Sequence, residues 1–295
     1  MHRPTPSLPA RLSWALLPIA MGPALGDALA GSSRAVARTG AVLAWTTWAG
    51  VLVAVLLPRT VSLTVVRIAA PAALVAANWS ALVGARGVPD AIAVGWAALT
   101  VVVMFAPSTG DCFVNGSSYG DERRLPLRPP AALLLGPLPL AWAATVAAPV
   151  GAPLLLAAHA WIAGAATAVV GLPAALVAAR ALHGLSKRWL VFVPAGVVLH
   201  DLHAMVDPVL FPRASIRRIG PPETTRTEPD ALEVLDLTGG SLGMPIEIEL
   251  LEPAEIAPRQ RDRSVRVEQV VGVRFAPTRP GAVLMEAKRR KIPVG

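Results

Sequence analysis

The chain of 295 residues has one cysteine, Cys112, one tyrosine, Tyr119, and only three lysines, Lys187, Lys288 and Lys291. A single cysteine excludes an intramolecular disulfide and any cysteine-built zinc site. Charge is also scarce, at 16% of residues. The first 185 residues hold 5 acidic and 11 basic side chains, whereas the remainder holds 14 and 16. The net charge of +8 therefore divides into +6 before residue 185 and +2 after it. A nucleic-acid-binding protein concentrates cations on its soluble domain; this chain does not, and nucleic acid is not an expected partner. The Gly-Lys-Ser/Thr of a P-loop and the His-Glu-x-x-His of a zinc hydrolase are both missing. No catalytic set, metal site or cofactor is expected.

What the chain has in abundance is apolar length. Apolar residues make up 54% of it and the mean hydropathy is +0.55, well above a soluble domain. A helix needs about 20 apolar residues to cross a bilayer. Six candidate spans follow: Leu12–Ala30, Thr39–Leu57, Val61–Val83, Ala91–Ala106, Ala131–Ala148 and Leu154–Val177. The first has signal-peptide features, with Arg3 and Arg11 before it and small residues at Ala28–Gly31. It is read as a retained helix because further spans follow at once. With the N-terminus inside, nine cations (Arg3, Arg11, Arg59, Arg123, Arg124, Arg128, Arg180, Lys187 and Arg188) fall on cytoplasmic segments. Three (Arg34, Arg38 and Arg86) fall outside, and the turn around Val150–Pro153 has none. The positive-inside rule then places both termini in the cytoplasm.

At Ser186–Trp189 the apolar pattern shifts to a period of two, the signature of half-buried strands. Trp189–Val193 and Val197–His200 flank Pro194–Gly196 as a hairpin. Val265, Val267, Val271, Val273 and Phe275 alternate with polar residues, as do Ile246, Ile248 and Leu250. Ser215–Ile219 and Leu232–Leu237 read as further strands. A closing helix starts near Pro280, with Val283, Leu284 and Ala287 as its apolar face. The expected fold class is an α-helical membrane bundle over 1–185 followed, over 186–295, by a small antiparallel β domain with a C-terminal helix.

The opening hairpin over Arg188–Asp201, the strand over Phe211–Ile219 and the closing helix together resemble the pleckstrin-homology-like (PH-like) fold, in particular bacterial PH domains tethered to membrane helices. The chain as a whole resembles uncharacterised actinobacterial multi-pass membrane proteins, and its richness in Ala, Gly and Pro fits a GC-rich genome. The resemblance implies a bacterial plasma-membrane location and a module that binds protein or lipid. It departs from a compact PH pattern at the Pro- and charge-rich stretches Gly220–Pro229 and Pro253–Arg263.

Two groups of residues are site candidates. Lys187, Arg188, Arg217, Arg218 and the run Lys288, Arg289, Arg290 and Lys291 are juxtamembrane or tail cations suited to anionic lipid head groups or a partner protein. Their alternative is a solvated mixed-charge face. Asp27, Arg67, Asn78 and His159 are polar residues within the spans, where ionisable groups are costly and mark sites by default. Their alternative is snorkelling or helix–helix hydrogen bonding. The polar loop Pro107–Pro130 reads as an ordered cytoplasmic turn that docks on the tail domain or on head groups. His200, Asp201, His203 and Asp207 look like metal ligands but complete no recognised set; a turn-capping Asp with solvated histidines explains them. The leading function is a non-enzymatic membrane anchor that presents its β domain for protein or anionic-lipid binding. The alternative is a transporter, small-molecule or proton-coupled, or an integral-membrane enzyme with a polar site in the outer half of the helices.

Overall fold

A computed structural model describes residues 8–84, 87–222, 234–259 and 266–295. Among the described residues, six helices are long and apolar enough to cross a membrane: Leu8–Ala30, Arg34–Leu56, Thr60–Val83, Val88–Phe105, Pro137–Ala157 and Trp161–Leu185. The chain divides into two compact units. One runs to Ser117 and takes in Leu138–His183; the other comprises Ser118–Pro137 and Gly184–Gly295.

In the helical unit the first span is two helices, α1 (Leu8–Ala15) and α2 (Leu17–Ala30), broken where Pro18 enters the first turn of α2. Pro18 has no N–H to offer the Trp14 carbonyl four residues back. The Trp48 indole, from α3 (Arg34–Leu56), donates to that carbonyl at 3.2 Å, and the Trp14 indole donates to the Trp48 carbonyl at 3.0 Å. The Trp96 indole of α5 (Val88–Phe105) donates to the Ser13 carbonyl at 2.8 Å. A proline break inside a bilayer is tolerated when neighbouring helices supply the missing donors, and here tryptophans do so. α4 (Thr60–Val83) runs through Pro71, and the Trp142 indole donates to the carbonyl of Ile68, three residues before that proline, at 3.0 Å.

α6 (Pro107–Asn115) is buried over Thr109–Asn115 and packs on α4 and α5. Gly116 ends it so close to Pro58 that a Cβ there would lie 2.0 Å from the Pro58 carbonyl oxygen. The expected single turn over Pro107–Pro130 is therefore divided, its first part a buried helix of the bundle. The fifth span is also displaced from its expected position. Ala131–Leu134 is a separate short helix, α7, and the span α8 runs Pro137–Ala157 through Pro149 and Pro153. The expected turn at Val150–Pro153 is helical. The chain reverses instead at Ala158–Ala160, where His159 takes a left-handed conformation (φ 59°) and its N–H bonds the Leu156 carbonyl. The sixth span comprises α9 (Trp161–Ala166), a π-helical turn at Thr167–Gly171 and α10 (Leu172–Leu185).

Among the described residues, the second unit holds two four-stranded sheets. The first, in order β1-β2-β3-β4, joins Arg123–Pro126, Trp189–Val193, Gly196–His200 and Val209–Pro212, all antiparallel. Its edge strand β1 comes from the segment that connects the fourth and fifth spans, with Arg123 opposite Phe192 and Pro126 opposite Trp189. The second sheet, in order β5-β7-β8-β6, joins Ile216–Gly220, Ile246–Ile256, Glu268–Phe275 and Val234–Asp236. Its pairings are antiparallel except β6 with β8, which is parallel. The expected strand over Phe211–Ile219 is in fact two strands in different sheets. Pro212 leaves the first, a 3₁₀ turn over Arg213–Ser215 makes the corner, and Ile216 begins the second. Expected strand residues 232, 233 and 265 lie outside the described residues.

Leu125, Leu190, Phe192, Leu199 and Phe211 of the first sheet share one core with Ile219, Ile248, Val273 and Phe275 of the second. The closing helix α11 (Pro280–Arg289) adds Val283 and Ala287 to it.

Candidate anion-binding cleft

The hairpin tip between β2 and β3 needs Gly196: its φ is +157°, and a Cβ there would sit 2.1 Å from the Phe211 carbonyl oxygen. Beside this tip lies a cleft of about 340 Å³, lined by the tip, Arg213 of the 3₁₀ corner, Asp121, and Arg289, Arg290 and Lys291 at the end of α11. Helix termination positions these cations. Lys291 takes the left-handed conformation (φ 56°), and the Ile292 N–H returns to the Ala287 carbonyl at 2.9 Å. Basic groups at a helix C-terminus are favoured by its dipole.

Two of the four cations are already paired. Arg289 makes two hydrogen bonds to Glu286, at 2.9 and 2.6 Å, and Arg290 adds a third at 2.7 Å. Burial pushes the Glu286 carboxyl up, but these bonds outweigh it and hold the group below its ordinary range. The same pairing raises Arg289 above its ordinary value. Asp121 lies 3.5 Å from both arginines, and its backbone carbonyl accepts from Arg290. Arg213 and Lys291 are exposed and make no ion pair among the described residues; Arg213 donates only to the Lys291 carbonyl, at 3.3 Å. The cleft therefore keeps two unneutralised cations side by side, a geometry that receives a phosphate or carboxylate.

The other expected cations are placed differently. Arg188 is buried, donating to Asp201 at 2.8 and 2.6 Å and to the Arg128 carbonyl at 2.6 Å. Arg218 donates to the buried Glu249 at 2.8 Å, and Arg217 lies 3.6 Å from the same carboxylate. Arg274 likewise pairs with the buried Glu247 at 3.0 Å. These are cross-strand pairs of the second sheet. Lys187 and Lys288 are exposed. The cleft thus gathers Arg289, Arg290 and Lys291 from the expected basic run over Lys288–Lys291 and adds Arg213, which carries no signal of its own in the sequence.

Of the residues expected within the spans, Asp27, Asn78 and His159 have exposed side chains. Asn78 donates to the Leu74 carbonyl of its own helix at 2.8 Å, and His159 meets Trp161 edge-on. The Arg67 guanidinium lies 5.8 Å from the centre of the Phe105 ring, a cation–π contact at the end of α5. His200 stacks on Trp189 and donates from Nδ1 to the Lys187 carbonyl at 2.8 Å. Asp201 caps the following turn through the His203 N–H at 3.2 Å. Among the described residues no group of three His, Cys, Asp or Glu side chains could hold a metal. Gly116-Ser-Ser-Tyr-Gly120 spells the Gly-x-Ser-x-Gly of a nucleophile elbow, yet it follows helix α6 and leads to strand β1. An elbow requires the reverse, strand then helix. No protein family, no curated protein and no solved structure matches this chain.

Proposed function

We propose that this multi-pass membrane protein is non-enzymatic and presents its β domain, as a PH-like module on the cytoplasmic side, to an anionic group carried by a lipid head group or a protein partner. The single observation that supports this is the cleft in which Arg213 and Lys291 keep their charge unneutralised beside Arg289 and Arg290. The two sheets over one core, closed by a C-terminal helix, favour the PH-like reading, although β6 pairs parallel and β1 is drawn from the segment between two spans. The bias of Arg and Lys toward one set of loops favours termini in the cytoplasm of a bacterial cell. The transporter or enzyme alternative draws no support from Asp27, Asn78 and His159, whose side chains are exposed.

The test is a titration of the detergent-solubilised full chain with inositol hexakisphosphate, with sulfate as a weaker probe, followed calorimetrically. Losing two hydrogen bonds to a charged ligand costs about 1.5–3 kcal/mol each, so R213A/K291A should bind at least about tenfold more weakly. Equal binding by the variant and the parent protein would remove the cleft from the account.

A further inference from the structure

The loop between β6 and β7 carries Leu242, 75% exposed, and Met244, 53% exposed. It is held in place rather than loose. The Thr238 N–H bonds the Asp236 carboxylate at 2.8 Å, the Gly240 N–H bonds the Thr238 hydroxyl at 3.2 Å, and the Ser241 N–H bonds the Thr238 carbonyl at 3.2 Å. A single exposed leucine needs no explanation. This loop, however, is bonded to a second segment with the same character. The Ser241 hydroxyl donates to the Pro129 carbonyl at 2.7 Å and the Ala131 N–H donates to the Gly239 carbonyl at 3.2 Å. Gly239 sits so near Pro130 that a Cβ there would lie 2.8 Å from the Pro130 Cβ. That segment continues through Leu134, 42% exposed, and Leu135, 93% exposed.

Covalent continuity says what covers these side chains. Leu135 stands two residues before Pro137, the first residue of the fifth span, so it lies within about 7 Å of the span's start along an extended chain. The interfacial layer on each side of the hydrocarbon core is itself about 5–8 Å deep. The loop is pinned to Pro129–Ala131, one turn of helix further back, at a rise of about 1.5 Å per residue. Neither Thr238–Pro245 nor 129–137 contains a charged residue. Arg128 immediately precedes the uncharged 129–137 segment and its guanidinium lies against Gly243; a cation beside a bilayer is attracted by anionic head groups. The loop's amides at 238, 240 and 241 are bonded within the protein, which lowers the cost of placing them in a poorly hydrated interface.

We propose that the Thr238–Pro245 loop and the Leu134–Leu135 end of α7 form a lipid hook, which inserts Leu242, Met244, Leu134 and Leu135 into the bilayer surface where the fifth span begins. The hook holds the β domain against the membrane and is independent of the anion-binding cleft.

The test uses the full chain in lipid nanodiscs, with Cys112→Ala removing the only native thiol and bimane attached at Leu242→Cys. The label should emit to the blue of free bimane in buffer, lose emission to doxyl-labelled lipid, and resist iodide. Leu140→Cys in the fifth span, 71% exposed, gives the lipid-contact reference. Iodide quenching equal to free bimane would overturn the proposal. Resistance to both quenchers would also overturn it, because protein rather than lipid would then cover the site. Met244→Cys carries the same readout, so a folding failure at position 242 leaves the test in place.

Discussion

Arg188 and Asp201 face each other at the open end of the β2–β3 hairpin, joined by two hydrogen bonds of 2.8 and 2.6 Å with both side chains buried. The third Arg188 bond, to the Arg128 carbonyl, ties the segment between spans four and five to the same point. Removing one partner of a buried pair strands a charge and costs about 3–5 kcal/mol. Asp201→Ala should therefore lower the protection of β2 and β3 amides against hydrogen exchange by about that amount in the full chain. Arg188→Met with Asp201→Leu should lose less than either single change, since no charge is left unpaired. Equal losses in the single and double variants would contradict a coupled pair.

The indole of Trp48 answers a carbonyl that Pro18 leaves without its helical donor. Trp48→Phe should destabilise the bundle by about 1–3 kcal/mol, read by unfolding of the full chain in mixed micelles. In a Pro18→Ala background the Trp14 carbonyl regains a backbone N–H, and the same substitution should cost less. Identical costs in the two backgrounds would separate Trp48 from the proline.

Two groups of the β domain are shifted by their surroundings and contribute to its acid response. His203 is held below its ordinary 6.5, first by burial, with Arg188 and Arg259 adding to it and Asp201 opposing. Its folded form prefers to be neutral, so the unfolded chain takes up the proton first and stability falls as pH drops below 6.5 toward the folded value. Glu286 lies below its ordinary 4.5 despite burial, because Arg289 and Arg290 bond its charged form. Its contribution is complete above 4.5 and is lost as pH falls through the folded value. Thermal unfolding from pH 7 to 3 should show both windows, with His203→Asn removing the upper one and Glu286→Gln the lower. A melting profile unchanged by either substitution would contradict the assignment.

Asp121 contributes the negative charge in the lining of the cleft, 3.5 Å from Arg289 and Arg290. The residue is exposed, and surface pairs of this kind are worth about 0.2–1 kcal/mol. Asp121→Asn should then tighten inositol hexakisphosphate binding by about 2–5-fold. Weaker binding would mean that Asp121 positions the arginines rather than competing for them.

The spanning helices other than the fifth, the β2–β3 hairpin, β7, β8 and the closing helix were legible in the sequence because each carries its own period and stop signals, whereas α6 was hidden in a stretch polar enough to read as a loop. The Trp189–Val193 and Gly196–His200 pairing and the Pro280 start of α11 agree with expectation. β1 was not legible. Its residues Arg123-Arg-Leu-Pro126 carry no alternation over four positions, and what makes them a strand is the edge of β2, more than sixty residues away. The start of the fifth span was hidden for a different reason. The run from Ala131 to Ala148 is apolar throughout, so hydropathy does not mark where α7, bonded to Gly239, gives way to α8. Among the site candidates, Arg289 and Arg290 were visible as a basic cluster. The ion pairing of Arg188 and Arg218 was not, because their carboxylate partners, Asp201 and Glu249, are set by strand register.

The β domain is built from two separated stretches of chain, with β1 an integral edge strand. Beyond the ladder, the Leu127 N–H bonds the Arg188 carbonyl at 3.0 Å, the Arg128 N–H the Ala276 carbonyl at 2.8 Å, and the Thr278 N–H the Pro126 carbonyl at 2.9 Å. The most direct measurement compares amide NMR spectra of Ser186–Gly295 alone and of the same fragment with Ser118–Pro137 joined ahead of it by a flexible linker. Dispersed β-type peaks and strong exchange protection of β2 are expected only when the segment is joined. Equally dispersed and equally protected spectra from both would contradict it, since β2 would then hold its place without β1.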